Sequence, residues 1–102
     1  MADIRQAKAT LIARVLQGEG TASREERRKA FDAAAAAPPL GTLVEKVARH
    51  AYEVTDEDVN AVRRSGLSED QVFEIVVCAA VGEASRQYEA ALAALDAASV
   101  KG

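Results

Sequence analysis

From Ser68 to Ala98 the chain runs for 31 residues without a proline, and Gly82 is the only glycine inside. A stretch so free of breakers reads as one helix, about 45 Å long at ~1.5 Å per residue. Its first half, V-F-E-I-V-V-C-A-A-V from Val72 to Val81, is apolar nearly all round. A helix without a wet face has to be covered on every side, so this segment calls for other helices around it. The second half is amphipathic, with Ala84, Tyr88, Ala91, Leu92 and Leu95 on one side. Its start is marked twice. Ser68 and Gln71 make a capping box, and Leu67 with Val72 makes a hydrophobic staple.

The same devices stand just upstream. Thr55 is a good N-cap, Asp56, Glu57 and Asp58 fill a first turn, and Val54 with Val59 forms another staple. Arg63 and Arg64 sit in the last turn, and Gly66 is fit for the left-handed residue that ends a helix. Leu40, Leu43, Val44, Val47, Ala48 and Ala51 recur at i, i+3, i+4, i+7, i+8 and i+11, which predicts a helix ending near Tyr52. Ser23 and Glu26 form a capping box for a helix that should reach about Ala37, because Ala33 to Ala37 has the best intrinsic propensity. Pro38 and Pro39 stop it. Asp3 to Leu16 carries an apolar stripe of Ile4, Ala7, Leu11 and Val15. No segment alternates in the manner of a strand. The expectation is an all-α domain of about five helices over residues 1–102, with a helical pair in 1–37, a core in 40–98 and a long C-terminal helix.

Composition limits what such a bundle can do alone. Of 102 residues, 23 are Ala, with two Phe, two Tyr and no Trp. Burying Ala removes little apolar area from water, and the gain scales with area at ~25 cal/mol per Å². A single chain should be modestly stable, and a homo-oligomer that covers the long helix is expected. The net charge of −3 with interspersed signs excludes a nucleic-acid patch. The basic run from Arg24 to Lys29 is broken by Glu25 and Glu26 and reads as a solvated helix face. Nothing approaches the ~20 apolar residues of a membrane span. M-A-D-I-R-Q-A-K lacks a signal-peptide core, and one Cys cannot make an internal disulfide, so a cytoplasmic protein with no membrane partner is expected.

Residues 43 to 81 carry the features of a known family: T-D-E-D-V at Thr55 to Val59, S-G-L-S-E-D at Ser65 to Asp70, and F-E-I-V-V-C-A-A at Phe73 to Ala80. Over roughly residues 40 to 95 the chain resembles the C-terminal half of AhpD-like proteins, the alkylhydroperoxidase D and carboxymuconolactone decarboxylase superfamily. Arg86 falls where many relatives have an Arg late in the long helix. The resemblance implies an all-helical bundle assembling into dimers, trimers or hexamers. Redox-active relatives use a C-x-x-C pair followed by a His, so that a low-pKa thiolate attacks and a second Cys resolves. This chain has no C-x-x-C, and Cys78 is its only thiol. Thiol peroxidase activity by that route is not expected, and a structural or small-ligand-binding oligomer is.

The alternative is a decarboxylase-like enzyme performing acid-base chemistry on a small organic acid. The candidate catalytic residues are His50, Tyr52, Glu83 and Arg86, with Glu74 beside them. His50 could act as a general base next to Tyr52; its plainer role is to complement a helix C-terminus. Glu83 and Arg86, three apart, can pair on one helix face. Cys78, among Val77, Ala79 and Ala80, reads as a small buried hydrophobe. Glu57, Asp58, Glu69 and Asp70 read as helix-start acids, and neither a metal nor a cofactor is expected. The enzyme reading requires two or more of the five candidate side chains to converge on one partly wet pocket.

Overall fold

The computed structural model describes the backbone of residues 2–101 and the side chains of residues 4–99. Five helices follow in order: α1 (Ala2–Gln17), α2 (Arg24–Phe31), α3 (Leu40–Arg49), α4 (Asp56–Arg64) and α5 (Glu69–Lys101). No strand occurs among the described residues. The 33 residues of α5 make a rod of about 50 Å at ~1.5 Å per residue, close to the longest dimension of the molecule, 54 Å.

The helix starts are set locally. Thr55 Oγ1 accepts from Asp58 N, and the Asp58 carboxylate accepts from Thr55 N. Ser68 and Gln71 exchange the same pair of bonds at 3.1 and 2.8 Å, and Ser23 and Glu26 do so at 3.0 Å each. The staple residues Val54, Val59 and Leu67 are partly buried around Leu43, Val62 and Val72, so the two helix starts feed one apolar cluster. A second cluster gathers Ala22, Ala30 and Val44 on Ile75, Cys78 and Ala79. Every buried residue of α5 (Val72, Ile75, Cys78, Ala79 and Gly82) falls on one arc of the helix.

The opposite arc is bare, so the chain's own helices cover the apolar half of α5 on one side only. Phe73 is 67% exposed, and Ala80 is exposed as well. The cause is supply. α2, α3 and α4 have eight, ten and nine residues, and all of them pack on the arc already described.

α2 ends at Phe31, not near Ala37. Ala33 takes φ +53, and Ala34 N donates to Lys29 O at 2.9 Å while Ala33 N donates to Ala30 O at 3.1 Å. That is a Schellman ending with Ala where Gly is the usual occupant. Tertiary contacts outweigh the propensity of the Ala tract. The Phe31 carbonyl lies directly over Gly82 and accepts Arg86 Nη1 at 2.6 Å. A continuing helix would have to give that carbonyl to an amide four residues on. With Pro38 closing the tract, the extension forgone is only a turn of exposed alanines, worth little without packing.

α3 stops at Arg49 rather than near Tyr52. His50 leaves the helical region at φ −145, and a 3-10 turn at Ala51–Glu53 leads into α4. The basic run of α2 is not wholly solvated either. Arg27 is 5% exposed, and its Nη1 donates to Gly18 O at 2.7 Å and to Val15 O at 3.2 Å, capping the C-terminus of α1. Two substitutions test this account. Gly82→Ala drives a methyl into the Phe31 carbonyl and should destabilise the protein by about 1–3 kcal/mol despite its better helix propensity. Ala33→Gly relieves the left-handed Ala and should stabilise by about 1 kcal/mol. Urea unfolding followed by circular dichroism measures both.

Candidate functional site

The candidate residues occupy three separate places. His50 and Tyr52 flank the end of α3, with ring centroids 6.1 Å apart and nearly perpendicular planes (81°). Both are exposed, Tyr52 to 84%. Glu83 and Arg86 are paired on α5: Arg86 Nη2 and Nε donate to Glu83 Oε2 at 3.0 and 3.3 Å. Arg86 also reaches the last carbonyl of α2, so the pair fastens the end of α2 to α5. Arg86 and then Gln87 hold the Glu83 carboxyl below its ordinary value.

Glu74 stands one side of α5 away, with a fastening role of its own. Its carboxylate accepts from Thr21 N at 2.9 and 3.0 Å, from Ala22 N at 3.4 Å and from the Thr21 hydroxyl. These bonds close the turn between α1 and α2 onto α5. The Thr21 hydroxyl is the main cause of a lowered Glu74 pKa. A Cβ at Gly20 would meet Glu74 Oε1, so a larger residue there would displace the carboxylate. The structure thus sets His50 beside Tyr52 and pairs Glu83 with Arg86, while Glu74 is bonded at the turn between α1 and α2.

Cys78 is 1% exposed, with Sγ 3.6 Å from the Val15 carbonyl. Burial pushes its thiol pKa up, against the nearby Arg27 charge. Both burial and a raised pKa disfavour the thiolate, the form in which a Cys reacts.

What the structure does assemble is an apolar face along α1 and α5. The two helices run side by side in opposite directions: Lys8 of α1 pairs with Glu89 of α5 and lies 4.7 Å from the centroid of the Tyr88 ring. An open groove of about 300 Å³ follows the seam, lined by Ile4, Leu11 and Ile12 from one helix and Val81, Ala84 and Tyr88 from the other. Ile4 is 53% exposed, Leu11 50% and Leu95 63%. With Phe73, these are four of the five exposed large hydrophobic side chains among the described residues. Ile4, Leu11 and Leu95 belong to the apolar stripes legible in the sequence of the two helices. The 81-residue separation of Lys8 and Glu89 and the burial of Arg27 leave no trace in local periodicity.

Comparison with family models, curated proteins and solved structures yielded no match. No helix among the described residues is long and apolar enough to cross a membrane.

The Glu74 clamp has a defined pH signature. A carboxyl whose folded pKa is depressed stabilises the fold fully above its unfolded value, and that contribution is lost as pH falls through the folded value. Glu74→Gln should therefore cost about 1–2 kcal/mol at neutral pH. Its deficit relative to the parent protein should shrink once pH drops below 4.5, the ordinary Glu value. Thermal melts of both proteins across that range give the comparison.

Proposed function

We propose that this chain is a divergent AhpD-like helical protein that works as a homo-oligomeric structural or small-ligand-binding component, without the two-cysteine peroxidase chemistry of redox-active relatives. The observation that carries the proposal is the bare arc of α5 together with the exposed stripe of α1. Four large hydrophobic side chains, each at least half exposed, sit on these two helices, and a patch of that kind on a small protein marks an interaction surface. The open apolar groove between α1 and α5 is also where a small organic ligand could lie. The single buried Cys78 supports the absence of thiol chemistry, and the fastening roles of Glu74, Glu83 and Arg86 account for residues that an enzyme would have to spare.

The alternative, acid-base chemistry on a small organic acid, would need His50 and Tyr52 to act without the other candidates. Sedimentation velocity tests the favoured reading. At tens of micromolar the protein should sediment above the 10.8 kDa of one chain, with a concentration-dependent distribution. A single 10.8 kDa species throughout would remove the oligomer from the proposal.

A further inference from the structure

The bare arc of α5 has the spacing of a helix-helix seam. Phe73, Val77, Ala80, Ala84 and Ala91 follow one another at intervals of four, three, four and seven residues, the pattern of apolar positions in a coiled coil. Leu95 extends it four residues further. All of these are exposed except Val77, which is half-buried. Small residues hold the middle, where a second helix could come close. Bulky ones stand at the two ends.

We infer that this face is the contact between two copies of the chain, related by a two-fold axis, with the α5 helices antiparallel and crossing near Ala84. The inference rests on the oligomer reading above and specifies its partner, face and symmetry. The stripe is self-complementary about that point. Reversing α5 on itself at Ala84 sets Phe73 of one copy opposite Leu95 of the other, Val77 opposite Ala91, and Ala80 opposite Tyr88, so that each large side chain beyond the end pairs meets a small one. A surface that matches its own reversed copy is what an isologous contact requires.

Charge and area favour the same occupant. α1 carries three basic residues and one acidic, whereas α5 carries six acidic and two basic. The pairing of Lys8 with Glu89 already uses that difference within one chain. In a bundle of α1, α5 and their two symmetry mates, each basic helix again lies beside an acidic one. The exposed parts of Ile4, Leu11, Phe73 and Leu95, with the intervening alanines, amount to a few hundred Å² per copy, so a pair would bury roughly 1,000 Å², the lower edge of specific association. Dissociation constants on the order of micromolar are expected for a contact of that size.

The test uses the full chain. Phe73→Ser and Leu11→Ser alter side chains that are at least half exposed, so folding, checked by circular dichroism, should survive. Each should weaken self-association in sedimentation by about tenfold or more, and Tyr52→Ser, the exposed aromatic elsewhere, should leave it unchanged. Independently, Ala84→Cys should be joined into a covalent dimer by a short bismaleimide, while the parent protein, whose only thiol is buried, should not. If the parent self-associates but Phe73→Ser and Leu11→Ser associate as well as it does, or Ala84→Cys fails to cross-link, the contact lies elsewhere. The inference then falls while the oligomer reading stands. A parent protein that is monomeric at every concentration overturns both. A monomer that instead floats with vesicles of phosphatidylcholine and phosphatidylglycerol, and loses this with Phe73→Ser, assigns the face to a lipid surface and also overturns the inference.

Discussion

The structure turns on a mismatch between one helix and the chain available to cover it. α5 is apolar over most of its circumference through Val81, and an apolar helix is stable in water only to the extent that other surfaces remove it from solvent. The remaining helices are short and crowd onto one arc, where Ile75, Cys78 and Ala79 are almost wholly buried. The other arc keeps Phe73 and a run of alanines in water. Fold and proposed function both follow from that one imbalance: the covered arc organises a five-helix domain, and the uncovered arc is the surface with something left to bind.

Three fastenings hold the helices together, two of them on α5 and one between α2 and α1, and each is a polar group meeting backbone at or beside a helix end. Arg86 takes the last carbonyl of α2, Glu74 takes the amides of the α1–α2 turn, and Arg27 takes the last carbonyls of α1. These are the groups that a helix leaves unpaired at its termini, so each contact satisfies a donor or acceptor that would otherwise need water. Close approach is part of the same design. Gly82 is the place where a side chain would run into the backbone of Phe31 and block the contact. The polar residues of α5 that stand out in the sequence as catalytic candidates are in large part accounted for by this fastening.

The helix starts at Thr55 and Ser68 bear on architecture and not on chemistry: both are formed with reciprocal capping bonds. Glu83 and Arg86 were legible as a pair because three residues on a helix bring two side chains together. Their attachment to Phe31 was not, because it joins residues 55 positions apart. His50 and Tyr52 are neighbours because only one residue separates them at the 3-10 turn, and nothing local could reveal that both are exposed.

By itself the sequence determined the all-helical class, the starts of α2, α4 and α5, the end of α4 at Gly66 and the burial of Cys78. Each of these depends on residues within a turn or two of one another, or on the all-round apolarity of one segment. Only the tertiary structure decided that α2 stops at Phe31, that Arg27 is buried, and which arc of α5 is left open. Those outcomes depend on which distant surface reaches a carbonyl or an apolar side chain first. Local propensities differ by tenths of a kcal/mol per residue, too little to oppose a charged hydrogen bond to a helix-end carbonyl and the packing around it.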